Sequence, residues 1–308
     1  MHLDSAIRVL LDGLADQPPV YTLALPDARR SVDDFVQYNA PAVDVARVQD
    51  ICIPARSGQL SGRLYQATDR AGPVTVFLHG GGWVLGSIEI VDRTCRRLAR
   101  TWGGVIVSVD YRLAPESPYP AALEDCYDAT RWVADHLLEL GGDGSFIAVA
   151  GESAGGNLAA AVALVARDEG TPRLDHQLLI YPVLDRDFDT PSYSLFGTAG
   201  LILDRPTMEW YWHCYLGDSQ PDGYAAPLRA GSLSGLPAAT VVLCELDPLQ
   251  SEGHTYARRL AEAGVPVTLI EWSGLPHAAL ALDGVARRAA AFVEGIAHNL
   301  RNAVTMAS

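Results

Sequence analysis

A serine hydroxyl is a poor nucleophile until a base takes its proton and a fixed acceptor holds that base in place. The residues to find first are therefore a serine on a sharp turn, a loop histidine and a carboxylate. Gly151-Glu152-Ser153-Ala154-Gly155 offers the serine. The pattern G-x-S-x-G is weak alone, but here a β-rich run at 146–150 precedes it and an Ala-rich helical run at 155–167 follows, the strand–turn–helix setting of a nucleophile elbow. The glycines permit a tight turn that lifts the hydroxyl above the sheet, and the helix directs the positive end of its dipole at the reaction centre.

His79-Gly80-Gly81-Gly82-Trp83 follows another β-rich run, 74–78. Consecutive glycines leave room for a substrate and let neighbouring backbone N–H groups point the same way, toward an oxygen that becomes negative during acyl transfer. Gly81 and Gly82, with the N–H of Ala154, are the candidate oxyanion donors. A phosphate-binding nest is the rival reading, and the Lys-Ser/Thr continuation that would favour it is missing.

The base must be one of 8 histidines, and the chain order Ser…Asp…His places it late. His277 follows the last β-rich run in Ser273-Gly274-Leu275-Pro276, whereas His254 and His298 fall in helical stretches and His79 belongs to the glycine loop. The acid expected after the penultimate strand is Asp247, with Glu245 and Asp185 as rivals; capping the helix that begins near Ser251 is its alternative role.

These residues need a scaffold. Short β-rich runs at 74–78, 105–109, 146–150, 177–181, 240–244 and 267–272 alternate with helical stretches at 92–102, 121–140, 155–167, 251–263 and 284–300. That alternation predicts an α/β fold with a mostly parallel sheet of about eight strands, helices on both faces, and an antiparallel pair at one edge from 45–54 and 62–65. Two segments break the pattern, 1–44 and 185–225, and their natural place is together above the carboxyl ends of the strands as a helical cap. The catalytic domain is then 45–184 with 226–308. Trp83, Trp210 and Tyr211 are the candidate substrate-binding aromatics, although a helical run of aromatics is more often packing than recognition.

Composition narrows the function. Hydrophobic residues make up 49% and charged residues 19% of the 308, so one large domain, or a domain with a smaller appendage, is expected, with a deep core and order almost throughout. A formal charge of −14, with no Lys/Arg cluster, would repel phosphate backbones and anionic headgroups, which argues against nucleic-acid or membrane partners. Met1 to Leu14 lacks the unbroken apolar core of a signal peptide, and no run approaches the roughly 20 apolar residues of a membrane span. The 5 cysteines are scattered, odd in number and never CxxC, which reads as free thiols in the cytoplasm. A homodimer is the one protein partner left open.

Taken together, His79–Trp83, Asp110-Tyr111-Arg112-Leu113-Ala114-Pro115-Glu116, the stretch 151–157, Tyr181-Pro182, Asp247-Pro248-Leu249 with Glu252-Gly253, and His277 make the chain resemble the hormone-sensitive-lipase-like (bacterial family IV) esterases of the α/β-hydrolase superfamily. The resemblance covers most of the chain after about residue 45. It implies carboxylesterase activity on short- to medium-chain acyl esters, no metal or organic cofactor, a small-molecule ester as substrate, and an architectural role for Tyr111, Arg112 and His79. Departures from the family pattern are Glu152 where Asp is commoner, Ala278-Ala279 where Gly and Phe are frequent, and Gln250 in place of an Arg. The competing readings are a non-catalytic small-molecule receptor on the same fold, which the presence of His277 disfavours, and an amidase using the same triad. An interfacial lipase is disfavoured because no amphipathic lid is visible.

Overall fold

The computed structural model describes residues 2–307; Met1 and Ser308, the outer ends of the expected cap and catalytic segments, lie outside the described residues. Eight strands form one sheet: β1 (Arg47–Ala55), β2 (Gly58–Gln66), β3 (Gly72–Leu78), β4 (Val105–Asp110), β5 (Gly142–Glu152), β6 (His176–Ile180), β7 (Ala238–Leu246) and β8 (Val267–Pro276). Their order is β1-β2-β4-β3-β5-β6-β7-β8. β2 runs antiparallel to both neighbours, and from β4 across to β8 every pairing is parallel. This is the α/β-hydrolase sheet that the resemblance implies.

The helices are α1 (Ser5–Leu14), α2 (Leu25–Asp33), α3 (Ile88–Trp102), α4 (Ala121–Asp135), α5 (Ala154–Glu169), α6 (Pro191–Phe196), α7 (Arg205–Leu216), α8 (Gln250–Glu262) and α9 (Arg287–Ala307). The period-2 alternation of the strands feeds two cores. Val74, Val76, Leu78, Val241 and Leu243 bury against α4, α5, α7 and α8, while Phe77, Val242 and Cys244 bury against α1, α3 and α9. α5 is almost wholly buried, and its run of alanines lets it lie close beneath the sheet.

Boundaries depart from the sequence reading where a local bond decides. α3 begins four residues before the expected 92 because the Ser87 hydroxyl caps it, accepting from Glu89 N. α9 starts at Arg287 rather than at 284 because Asp283 accepts from Ala40 N and Gly284 N donates to Tyr38 O, which commits that stretch to the N-terminal segment. α4 ends at Asp135, short of the expected 140, and β8 runs through to Pro276, so His277 emerges directly from a strand end. No helix among the described residues is long and apolar enough to cross a membrane.

The Asp110–Glu116 stretch is a structural knot. Tyr111 Oη donates to His79 O at 2.7 Å, holding the glycine loop. Arg112 grips the buried Asp125 through Nε (2.7 Å) and Nη2 (2.9 Å), and Ser57 Oγ donates to the same carboxylate at 2.7 Å. Glu116 pairs with Arg29 of α2, whose Nε also donates to Val84 O at 3.0 Å. Arg112→Ala would leave the Asp125 charge buried with one hydroxyl, the backbone N–H of residue 112 and no cation. The expected loss, read as a lower urea midpoint, is about 3 kcal/mol, the low end of the range for a broken buried pair because Arg112 is partly exposed.

Candidate active site

Ser153 sits between β5 and α5 with φ of 57°, a conformation costly for a residue with a β-carbon. Its surroundings enforce it. Ser153 N donates to Ile180 O at 2.9 Å, and Ser153 O accepts from Asn157 N (3.0 Å) and Val183 N (3.2 Å). The neighbouring backbones leave no space: a β-carbon on Gly151 would stand 2.1 Å from Gly155 O, and one on Gly155 would stand 2.0 Å from Leu78 O. The two glycines of the motif are therefore demanded by close approach of main chain to main chain.

Three distant side chains meet there. His277 Nε2 lies 2.9 Å from Ser153 Oγ, and His277 Nδ1 lies 2.7 Å from Asp247 Oδ2. Asp247 Oδ1 accepts from Leu249 N at 2.9 Å, so one carboxylate oxygen orders its own turn while the other faces the imidazole. All three residues are buried. The rival acids are engaged elsewhere: Glu245 Oε2 accepts from Gly274 N at 2.7 Å, and Asp185 pairs with Arg229. Pairing of β7 with β8 shifts register between Cys244 and Leu246, beside the acid loop.

Ser153 and His277 open on a cavity of about 390 Å³ whose lining includes Gly81, Gly82 and Glu152. Ala154 lies directly behind Ser153 as the fully buried first residue of α5 and is not on the lining. Glu152 Oε1 accepts from Gly80 N at 3.0 Å, tying the elbow to the glycine loop, and burial raises its carboxyl above the ordinary value. Burial pushes the His79 imidazole down to about 4, so it stays neutral; its Nδ1 lies 2.7 Å from Gly80 O and its ring stacks on Tyr111 at 4.2 Å. Among the described residues no cluster of three or more His, Cys, Asp or Glu side chains is placed to hold a metal ion.

The aromatic candidates separate by helical geometry. Along α7, Met208, Tyr211, Trp212 and Tyr215 recur at one-turn spacing and face inward, while Trp210 is turned partly out and packs beside Tyr211. Tyr211 lines the cavity with its ring over Gly82, so close that a β-carbon on that glycine would stand 2.2 Å from the ring. Trp83 and Trp210, the other two candidates, are not on the lining. Trp83 is fully buried, stacked on Tyr215 at 4.2 Å, with its Nε1 donating to Asn157 Oδ1 at 3.3 Å.

Sequence reasoning missed several supports. Tyr181 packs its ring 4.7 Å from that of His277. Asn157, one turn after Ser153, ties α5 to Trp83 and, through Nδ2, to Ala225 O at 2.9 Å; a lone amide in an alanine run is the signal that would have found it. Ser192 of α6 and Ser251 of α8 exchange hydrogen bonds at 3.1 Å each, and Ser192 Oγ also donates to Pro248 O, next to Asp247. Gln250 donates to Glu271 Oε1 at 2.9 Å, and Ala278 lines the cavity with φ of 60°, which explains why glycine suits that position.

A family profile described as alpha/beta hydrolase fold matches residues 75–281. Esterase LipI of Mycobacterium tuberculosis is 39% identical over 297 residues, covering 89% of this chain and 92% of the relative. Ethyl acetate hydrolase of Pseudomonas putida is 35% identical over 270 residues, covering 84% of each chain. The solved structure of a hyperthermophilic esterase from the archaeon Pyrobaculum calidifontis superposes with a TM-score of 0.93 at 38% identity over 100% of both chains.

Two outcomes follow from this packing. Gly151→Ala has no room without displacing backbone, and the expected cost is about 1–3 kcal/mol of stability, seen as a lower denaturant midpoint. The buried imidazoles of His79 and His176 both titrate near 4 in the folded chain and near 6.5 when exposed, so below 6.5 the unfolded state binds more protons. Stability should fall as pH drops from 6.5 toward 4, and urea titrations across that window check it.

Proposed function

The chain belongs to the α/β-hydrolase family, in its hormone-sensitive-lipase-like branch, and from that premise we propose that it is a carboxylesterase cleaving short- to medium-chain acyl esters, with Ser153 as nucleophile, His277 as general base and Asp247 as its orienting acid. The observation that carries this is the unbroken hydrogen-bonded run from Ser153 Oγ through His277 to Asp247, at the floor of a mostly apolar cavity.

Ser153 Oγ attacks the ester carbonyl while His277 Nε2 takes its proton. Asp247 keeps Nδ1 protonated and stabilises the imidazolium that forms. The carbonyl oxygen, now negative, is met by the N–H groups of Gly81, Gly82 and Ala154, which need no reorganisation because the glycine loop is tied to Glu152 and Tyr111. The alcohol leaves with the proton from His277. Water, deprotonated by the same imidazole, attacks the acyl-enzyme, and the acid departs as Ser153 is restored.

In this reading residues 45–184 and 226–308 carry the chemistry, and 1–44 with 185–225 form the cap. Support comes from the cavity lining, to which Leu14 and Phe35 belong on one side and Leu203 and Tyr211 on the other. All five cysteines are free, which supports a cytoplasmic setting. A relative named for ethyl acetate supports a short acyl group.

An acyl series of p-nitrophenyl esters from acetate to palmitate should peak at short to medium chains. Ser153→Ala should lower kcat by about a million-fold and Asp247→Asn by about ten-thousand-fold. Near-normal turnover by purified Ser153→Ala would remove the nucleophile assignment, and equal rates on a matched anilide would make the protein an amidase.

A further inference from the structure

The side chains around the cavity are unbalanced in charge. Besides His277 and Tyr211, its titratable lining residues are the carboxylates Glu152 and Asp204, and among the described residues that line it none is Lys or Arg. Both carboxylates are committed to main-chain donors, Glu152 to Gly80 N at 3.0 Å and Asp204 to Thr207 N at 2.8 Å, which holds them in place at opposite walls of the elbow and α7. Asn39 adds a further acceptor, since its Oδ1 is buried without a hydrogen-bond partner. Neither nearby arginine is on the lining. Arg205 pairs with Asp189 (3.1 Å) and Glu209 (2.7 Å), and Arg93 donates to the carbonyls of Val36 (3.1 Å) and Asn39 (3.3 Å).

We propose that this cavity accepts uncharged esters and rejects esters that already carry a carboxylate, so that a diester of a dicarboxylic acid is cleaved once and its monoester is released uncut. The inference rests on the esterase reading above. An anionic tail entering the cavity sheds its water, meets no cation on the lining, and faces the carboxylate of Asp204 and the acceptor oxygens of Glu152 and Asn39 in a medium of low dielectric. The N–H groups of Gly81 and Gly82 do not relieve it, because they face the one oxygen of the reacting carbonyl.

The chemistry balances without a further reactant. Water gives its hydroxyl to the acyl carbon, the carbon–oxygen bond to the alcohol breaks, and the alcohol keeps the second hydrogen. At neutral pH the new carboxylic acid loses its proton to solvent. The substrate has thereby become an anion inside an acidic cavity, and the same repulsion that bars its return expels it.

The test compares dimethyl adipate, monomethyl adipate and methyl 6-methylheptanoate, the last being the neutral shape-match of the monoester, by pH-stat titration of released acid. Dimethyl adipate should yield one equivalent of acid and stop. The monoester should show a kcat/KM on the order of 100-fold below its neutral match, the size expected when one like charge about 6 Å away acts through an effective dielectric of about 20. In Asp204→Asn and Glu152→Gln, which keep an oxygen acceptor for Thr207 N and Gly80 N, that ratio should shrink. Because it is a ratio within one protein, partial misfolding of either variant does not alter it. Two equivalents from dimethyl adipate at similar rates, or a ratio unmoved in both variants, would overturn the proposal and leave the esterase reading standing. No acid from any of the three would sink both.

Discussion

At the elbow, three stretches of main chain pass within contact of one another, and everything else in the site is arranged around that crowding. The end of β3, the end of β5 and the start of α5 converge where Gly151 and Gly155 stand, with gaps too small for a single methyl group. This forces the left-handed turn at Ser153 and raises its hydroxyl clear of the sheet. It also brings the glycine loop, which continues β3, directly over the start of α5. Ser153 and the glycine loop are thus neighbours because two parallel strands are neighbours, β3 beside β5.

The histidine and acid reach the same point by a different route. β7 and β8 are the last two strands of the sheet, so the loops leaving them lie side by side, and a 2.7 Å contact between Asp247 and His277 needs only short extensions from each. The register shift between these strands, with Glu245 holding Gly274, sets where the loop carrying His277 departs. Tyr181, at the end of β6, then packs against the imidazole from below.

Much of this was readable from residue order alone, because strands and their connections repeat in a fixed rhythm and chemistry falls at strand ends. The alternation of β-rich and helical runs gave six strands, although β5 begins at Gly142, four residues before the expected run, and β8 continues four residues beyond it to Pro276. What the sequence concealed was direction. Trp83 and Tyr211 are both large aromatics near the glycine loop, and only the helical phase of α7 and the left-handed backbone at Trp83 decide that one ring turns into the core and the other into the cavity. Helix ends were misplaced for a related reason, since Asp283 and Ser87 act through hydrogen bonds to residues that linear reading does not bring near them, or to a cap that hydropathy ignores. The place of 1–44 above the strand ends was legible from its break with the alternation, but which of its residues, such as Leu14 and Phe35, line the cavity was not, because nothing in that segment repeats with the sheet.

The clasp between Ser192 and Ser251 joins the segment that walls the cavity to the turn that carries the acid. A change in this segment therefore acts on a part that also steadies the turn holding Asp247, through the bond from Ser192 to Pro248 O. Grafting this segment from a relative with another preference would transfer its rate along with its taste, unless the recipient's turn after β7 came with it. In this molecule a pair of hydroxyls links 185–225 to the turn after β7, and the interchangeable unit is larger than that segment.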